Sequence, residues 1–185
     1  MPSARPRARQ PDPPRRGTRQ PRFAGLFRYA LLSAALCIPT AATAWRCEAV
    51  VERVHDGDTL TVRCPERRFK LRLQGVDTPE LGQPFGEAAR DALAAFLAGK
   101  PLIVESRAID AYDRVIGRAW IGERSLADWL LASGWAWCPS RSTAACRRLE
   151  AEARTAERGL WRDAAEPMPP WQWRREHPRD REPPR

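Results

Sequence analysis

Outside its first 44 residues the chain has almost no net charge. The formal total is +9, but residues 1–44 hold 8 Arg and 1 Asp, whereas residues 45–185 hold 24 Lys and Arg against 22 Asp and Glu. The basic excess lies in one terminal segment, so charge alone is no argument for a nucleic-acid partner. Histidine is scarce, with only His55 and His177, and neither lies near a cysteine in sequence. No Cys-x-x-Cys occurs either, which together argues against a zinc site. The absence of an internal repeat excludes a solenoid or propeller. No apolar run is long: "YALLSAALCIPTAATA" (29–44) is short for a membrane span and contains Pro39.

That run has another reading. An Arg- and Pro-rich stretch, Arg5 to Arg28, precedes it, and Ala42-Thr43-Ala44 ends it. A basic segment, a short apolar segment and an A-x-A end describe a secretory signal peptide cleaved after Ala44. A secreted or periplasmic protein is therefore expected; the alternative is an uncleaved segment that anchors the chain to a membrane. Cleavage removes Cys37 and leaves Cys47, Cys64, Cys138 and Cys146. An even count in an exported chain suggests disulfides. Of three possible pairings, Cys47–Cys64 is preferred because it brackets a hairpin, and Cys138–Cys146 because it closes a short loop before a helix.

Residues 47–55 and 59–64 read as strands around "HDGD", where Asp-Gly tolerates the positive φ of a tight turn. Adjacent Val50-Val51 breaks the alternation and marks a bulge. A third strand covers 68–76. Residues 85–98 form a helix with Ala89, Leu93, Phe96 and Leu97 on one face. Strands follow at 101–106 and 114–121. "SLAD" (125–128) is a capping box opening a helix that buries Leu126, Leu130 and Leu131. A last helix spans 143–158, with Cys146, Leu149, Ala153 and Ala156 at helical spacing. From Asp163 onward the chain is rich in proline and charge and is expected to lack regular structure, with Trp171 and Trp173 available to dock on the core. The fold class is α+β, mainly β: a five-stranded OB-type barrel with three helices. The domains are the leader 1–44, a body 45–162 and a Pro/Arg-rich tail 163–185.

Four acids fall at strand ends: Asp56, Asp58, Asp77 and Glu80. Carboxylates that converge repel one another unless a cation sits among them. Oxygen ligands select a hard cation, calcium or magnesium. If the ends at Asp58 and Asp77 meet, two carboxylates and the Thr78 carbonyl can hold one. Arg72 projects from the face opposite Leu71 and Leu73, and Arg114 opens a later strand. Arginine forks match phosphate oxygens. A cation, two arginines and one further carboxylate are the parts that metal-assisted phosphodiester hydrolysis requires. Each motif alone reads first as a turn, a helix cap or a surface ion pair. Trp120, Trp129, Trp135 and Trp137 read as core, and His55 as a hairpin-edge residue.

"HDGDTLTV" (55–62), "LRLQGVDTPE" (71–80), "GQPFGEAAR" (82–90), "DAYDRVIGR" (110–118), "LLASGWAW" (130–137), "EAEARTAERGLW" (150–161) and "PPWQWR" (169–174) occur in this order. Together they resemble the staphylococcal nuclease (thermonuclease) family over about residues 47–174. The resemblance implies calcium-dependent hydrolysis of DNA and RNA by an OB-type barrel. It implies calcium ligands at Asp58, Asp77 and, through its carbonyl, Thr78. Glu80 matches the general base or water-orienting carboxylate, so that Glu80 would face the water. Arg72 and Arg114 match the phosphate arginines, and Tyr112 a tyrosine that contacts a substrate phosphate. Arg118 competes with Arg114, but counting back from "SLADWLL" lands on Arg114.

The chain departs from the family pattern in places. Asp113 stands where D-x-Y-G-R has glycine, adding a negative charge beside Arg114. Ala111 stands where a basic residue is common. "CPSRSTAAC" (138–146) replaces a stretch that often carries base-stacking aromatics. A nuclease-like OB module that binds single strands or a protein partner without cleaving is the alternative reading. No stable protein partner is implied, and a monomer is the default.

Overall fold

The computed structural model describes residues 45–163 and 166–178. The expected signal peptide, residues 1–44, lies outside them. Alternating apolar residues build five main strands: β1 (Arg46–Val54), β2 (Thr59–Cys64), β3 (Arg67–Leu73), β4 (Leu102–Ile109) and β5 (Val115–Ile121). Their order is β3-β2-β1-β4-β5, and a parallel β3–β5 pairing closes the ring. The result is a five-stranded barrel of the expected OB type. A two-residue strand, β6 (Arg124–Ser125), adds to β5.

Period-2 alternation places Leu60, Val62, Leu71, Leu73, Leu102 and Val104 inside the barrel. The bulge on β1 falls between Val51 and Arg53, where the register against β2 shifts. Both preferred disulfides are present, Cys47–Cys64 and Cys138–Cys146.

Helix α1 (Gly86–Leu97) buries Ala89, Leu93 and Leu97. Helix α2 (Leu126–Ala132) starts at the expected cap: the Asp128 N–H donates to Ser125 Oγ at 3.3 Å, and Leu126, Leu130 and Leu131 are buried. Helix α3 (Ala144–Thr155) ends earlier than the sequence pattern suggests. Glu157, at φ 50°, turns the chain out, so Ala156 is exposed rather than on the buried face. Trp137 is buried, and Trp129 and Trp135 are half-buried against the core, which fits their reading as core; Trp120 is half-buried beside Arg46 and outside the core.

Two expectations change. The 55–58 turn does not use a positive φ at Gly57. Its Asp56 carboxylate instead accepts from the N–H groups of Asp58 and Thr59, at 3.0 and 2.7 Å. Gly57 is needed for space, because a Cβ there would lie 2.7 Å from Cβ and Oγ1 of Thr78. The stretch after Asp163, expected to lack regular structure, contains a fourth helix, α4 (Pro170–Glu176). Its Pro170 is buried and Trp171 meets Trp137 edge-on, with ring centroids 6.5 Å apart. Trp173 stacks on His177 within the same segment. Among the described residues no helix is long and apolar enough to cross a membrane.

Candidate active site

The barrel brings the β1–β2 turn and the segment after β3 together. Register pairs Thr59 with Arg72, and the Leu73 N–H donates to the Asp58 carbonyl at 2.8 Å. Asp58 Oδ2 then accepts the Thr78 N–H at 2.9 Å. Asp77 is fixed from the other side by a two-bond bridge to Trp137, at 2.9 and 3.1 Å. Asp58 and Asp77 are 4% and 8% exposed. Two carboxylates are thus buried within reach of one side chain, Arg72. Its Nη1 lies against Asp58 Oδ1, and its Nη2 donates to Asp77 Oδ1 at 2.9 Å. Burial lowers the pKa of the Arg72 guanidinium, and the neighbouring Asp77 and Asp56 oppose that shift.

Glu80 follows in a tight turn. The Gln83 N–H donates to the Glu80 carbonyl at 3.0 Å, and the Gln83 side-chain oxygen accepts the Glu80 N–H at 3.0 Å. Gly86 lets α1 begin against this turn: a Cβ there would lie 2.0 Å from the Glu80 carbonyl oxygen. The Glu80 side chain does not simply face water as expected. Its Oε1 accepts from Arg174 Nη1 at 2.8 Å.

Arg174, on α4, also forks onto Asp77: Nη2 to Oδ2 at 2.8 Å and Nη1 to Oδ1 at 3.1 Å. The Asp77 hydrogen bond raises the pKa of the Arg174 guanidinium, although partial burial opposes it. Sequence reasoning assigned this residue no role. The signal was at hand, because Arg174 ends the "PPWQWR" motif, but no local pattern tells which acids lie 94 and 97 residues upstream in its reach.

Arg114 precedes β5, which pairs with β3 beside Arg72, and its charge adds to the lowering of the Arg72 pKa. The Arg114 Nε donates to Asp110 Oδ2 at 2.7 Å. Asp110 organises the whole loop, since its Oδ1 also accepts the N–H groups of Tyr112 and Arg114 at 2.9 and 3.0 Å. Burial opposes ionisation of Asp110, but these donors together hold its carboxyl below the ordinary value. Arg114 lies 5.5 Å from the Tyr112 ring centroid, and Tyr112 is 80% exposed. Asp113 sits at φ 59°, the left-handed conformation that suits glycine. The rival Arg118 is exposed on β5, opposite Glu105 of β4. His55 bonds Thr61 Oγ1 at 2.7 Å along the hairpin, and burial lowers its pKa.

The donor chemistry fits a hard cation. Asp58 and Asp77 present carboxylate oxygens to one shared guanidinium, and Thr78 belongs to the same turn. Among the described residues no three His, Cys, Asp or Glu side chains gather as a metal cluster. The protein's share would be two carboxylates and a carbonyl, with water or substrate oxygens supplying the rest.

Comparison with known proteins agrees with this architecture. The staphylococcal nuclease homologue family profile matches residues 70–163. Protein ParB of Escherichia coli is 34% identical over 165 residues, covering 80% of this chain and 93% of that protein. An uncharacterized endonuclease of Escherichia coli is 34% identical over 127 residues, covering 67% and 82%. The probable staphylococcal-like nuclease CAN2 of Oryza sativa subsp. japonica is 34% identical over 114 residues, covering 60% of this chain and 30% of that longer protein. With its closed barrel and a match over half its length, the chain belongs to the family of staphylococcal nuclease homologues.

Proposed function

We propose that this chain is an exported, calcium-dependent nuclease that hydrolyses phosphodiester bonds of DNA or RNA. The observation that carries the reading is the meeting of Asp58, Arg72, Asp77 and Glu80 at one end of the barrel, with three of the four tied through Arg72. Asp58, Asp77 and the Thr78 carbonyl would hold the cation. Bound there, it would offset charge on the phosphate and make the attacking water more acidic.

In this reading Glu80 accepts the proton of that water, or holds the water by a hydrogen bond to a carboxylate oxygen. Arg72 keeps a fixed positive charge beside the metal carboxylates, where a phosphate oxygen can share it. Arg114 brings a second guanidinium from the loop that Asp110 organises, and its bond to Asp110 uses Nε. Tyr112, exposed on the same loop, meets a neighbouring phosphate. Export is supported by the signal-like leader and by two disulfides, which persist in oxidising compartments.

The test is cleavage of single-stranded DNA by the purified chain in calcium or in chelator, beside Glu80→Gln. Cleavage that needs calcium and falls by about 100-fold or more in the variant is expected. Equal cleavage by the variant, or none by the wild type, sinks the reading. A second reading, a catalytically weak module that binds single strands or a protein partner, is favoured by Asp113 in a left-handed conformation beside Arg114. Binding of single strands without cleavage would select it.

A further inference from the structure

We propose that Arg174, with Gln83, is a positioning residue that holds Glu80 in its working orientation. This rests on the role proposed for Glu80 above.

Glu80 is gripped at two points from one segment. Its side chain accepts from Arg174 at 2.8 Å. Its backbone N–H donates to Gln83 Oε1 at 3.0 Å, and the Nε2 of the same amide donates to the Met168 carbonyl at 2.6 Å. The two ends of the Gln83 amide thus face a donor and an acceptor in the only sense that satisfies both. Gln83 is buried, so breaking either bond strands a polar group. Residues 168–174 therefore set the backbone of Glu80 through Gln83 and its carboxylate through Arg174.

The segment has holds besides the acids. Pro170 is buried, Trp171 packs edge-on against Trp137, and Glu166 pairs with Arg154 at 2.6 Å. A latch that releases on binding would be held chiefly by the bonds it must break. This segment has buried Pro170, the Trp171 contact and the Gln83 bond to Met168 besides the Arg174 bonds, which favours a fixture. Arg174 also bridges Asp77 and Glu80 with one planar fork, fixing the separation of the two carboxylates. A carboxylate that must meet a water at hydrogen-bond distance loses rate steeply when misplaced by about 1 Å.

The experiment compares wild type, Arg174→Gln and Arg174→Lys as full chains on single-stranded DNA in saturating calcium. Alongside it, cation-free melting of Glu80→Gln, Arg174→Gln and the double variant forms a cycle. We expect Arg174→Gln to lower kcat about 10- to 100-fold with KM within about 3-fold. Arg174→Lys should recover part of the loss, because it restores charge without the fork. The melting shifts should be non-additive, as for residues in contact. Unchanged or raised kcat overturns the inference, the latter meaning that Arg174 obstructs the site. A loss confined to KM also overturns it, making Arg174 a phosphate contact. If the wild type does not cleave, the proposed function fails; the cycle then decides alone, and additive melting shifts overturn the positioning role.

Discussion

Replacing Arg72 with methionine would leave two buried carboxylates facing an apolar side chain. Removing one partner of a buried ion pair costs about 3–5 kcal/mol, because the other charge is left without compensation. Here the lower end applies. Asp77 keeps the Arg174 fork at 2.8 and 3.1 Å, and Asp58 keeps the Thr78 N–H at 2.9 Å. A loss of about 3 kcal/mol in a domain of this size lowers Tm by roughly 10–15 °C. Calorimetry in chelator measures it. A fall under about 3 °C would refute the reasoning, because Arg72 would then not be what neutralises the pair. Calcium gives a second arm. A ligand at 100 times its Kd stabilises by about 2.7 kcal/mol. If Asp58 and Asp77 hold the ion, saturating calcium returns most of the lost Tm in Arg72→Met, and adding Asp77→Asn abolishes that recovery.

Other outcomes follow from single residues. Asp113→Gly should raise stability by up to about 1 kcal/mol, since glycine adopts φ near 59° without a Cβ penalty. It should also raise kcat/KM by removing a negative charge beside Arg114; unchanged cleavage would place Asp113 away from the substrate. Asp110 has a carboxyl held below its ordinary value of 3.8, so its contribution is full above that pH and is lost as pH falls through the lower, folded value. Asp110→Asn should therefore be less stable than wild type at pH 7, and denaturant titrations should show the gap narrowing below pH 3.8. Gly57→Ala places a Cβ 2.7 Å from Thr78 and should cost about 1–3 kcal/mol by overpacking; a neutral result would mean that the turn yields without strain.

Local signals carried well from sequence to structure where one segment decides its own fate. The Ser125 cap and the alternation through Leu71 and Leu73 are of this kind. So is the Cys47–Cys64 pairing, because the hairpin brings its own ends together. The Asp58–Asp77 meeting was legible as a condition, and β2–β3 pairing fulfils it. The end of α3 falls three residues before the expected one, because Ala156 matches the helical spacing while Glu157 takes the exit conformation.

The sequence by itself determined the strand alternation, the helix start at Ser125 and the carriers of charge, because each is encoded within a few residues; it favoured the cysteine pairs without fixing them. Tertiary structure alone decided why Gly57 is glycine, that β3 pairs in parallel with β5, and that Arg174 reaches Asp77 and Glu80. A charged residue in a proline-rich stretch looks solvated, since nothing nearby in sequence offers it a partner. Burial of Pro170 and contact of Trp171 with Trp137 bring α4 onto the core, and only then do the two carboxylates become its neighbours.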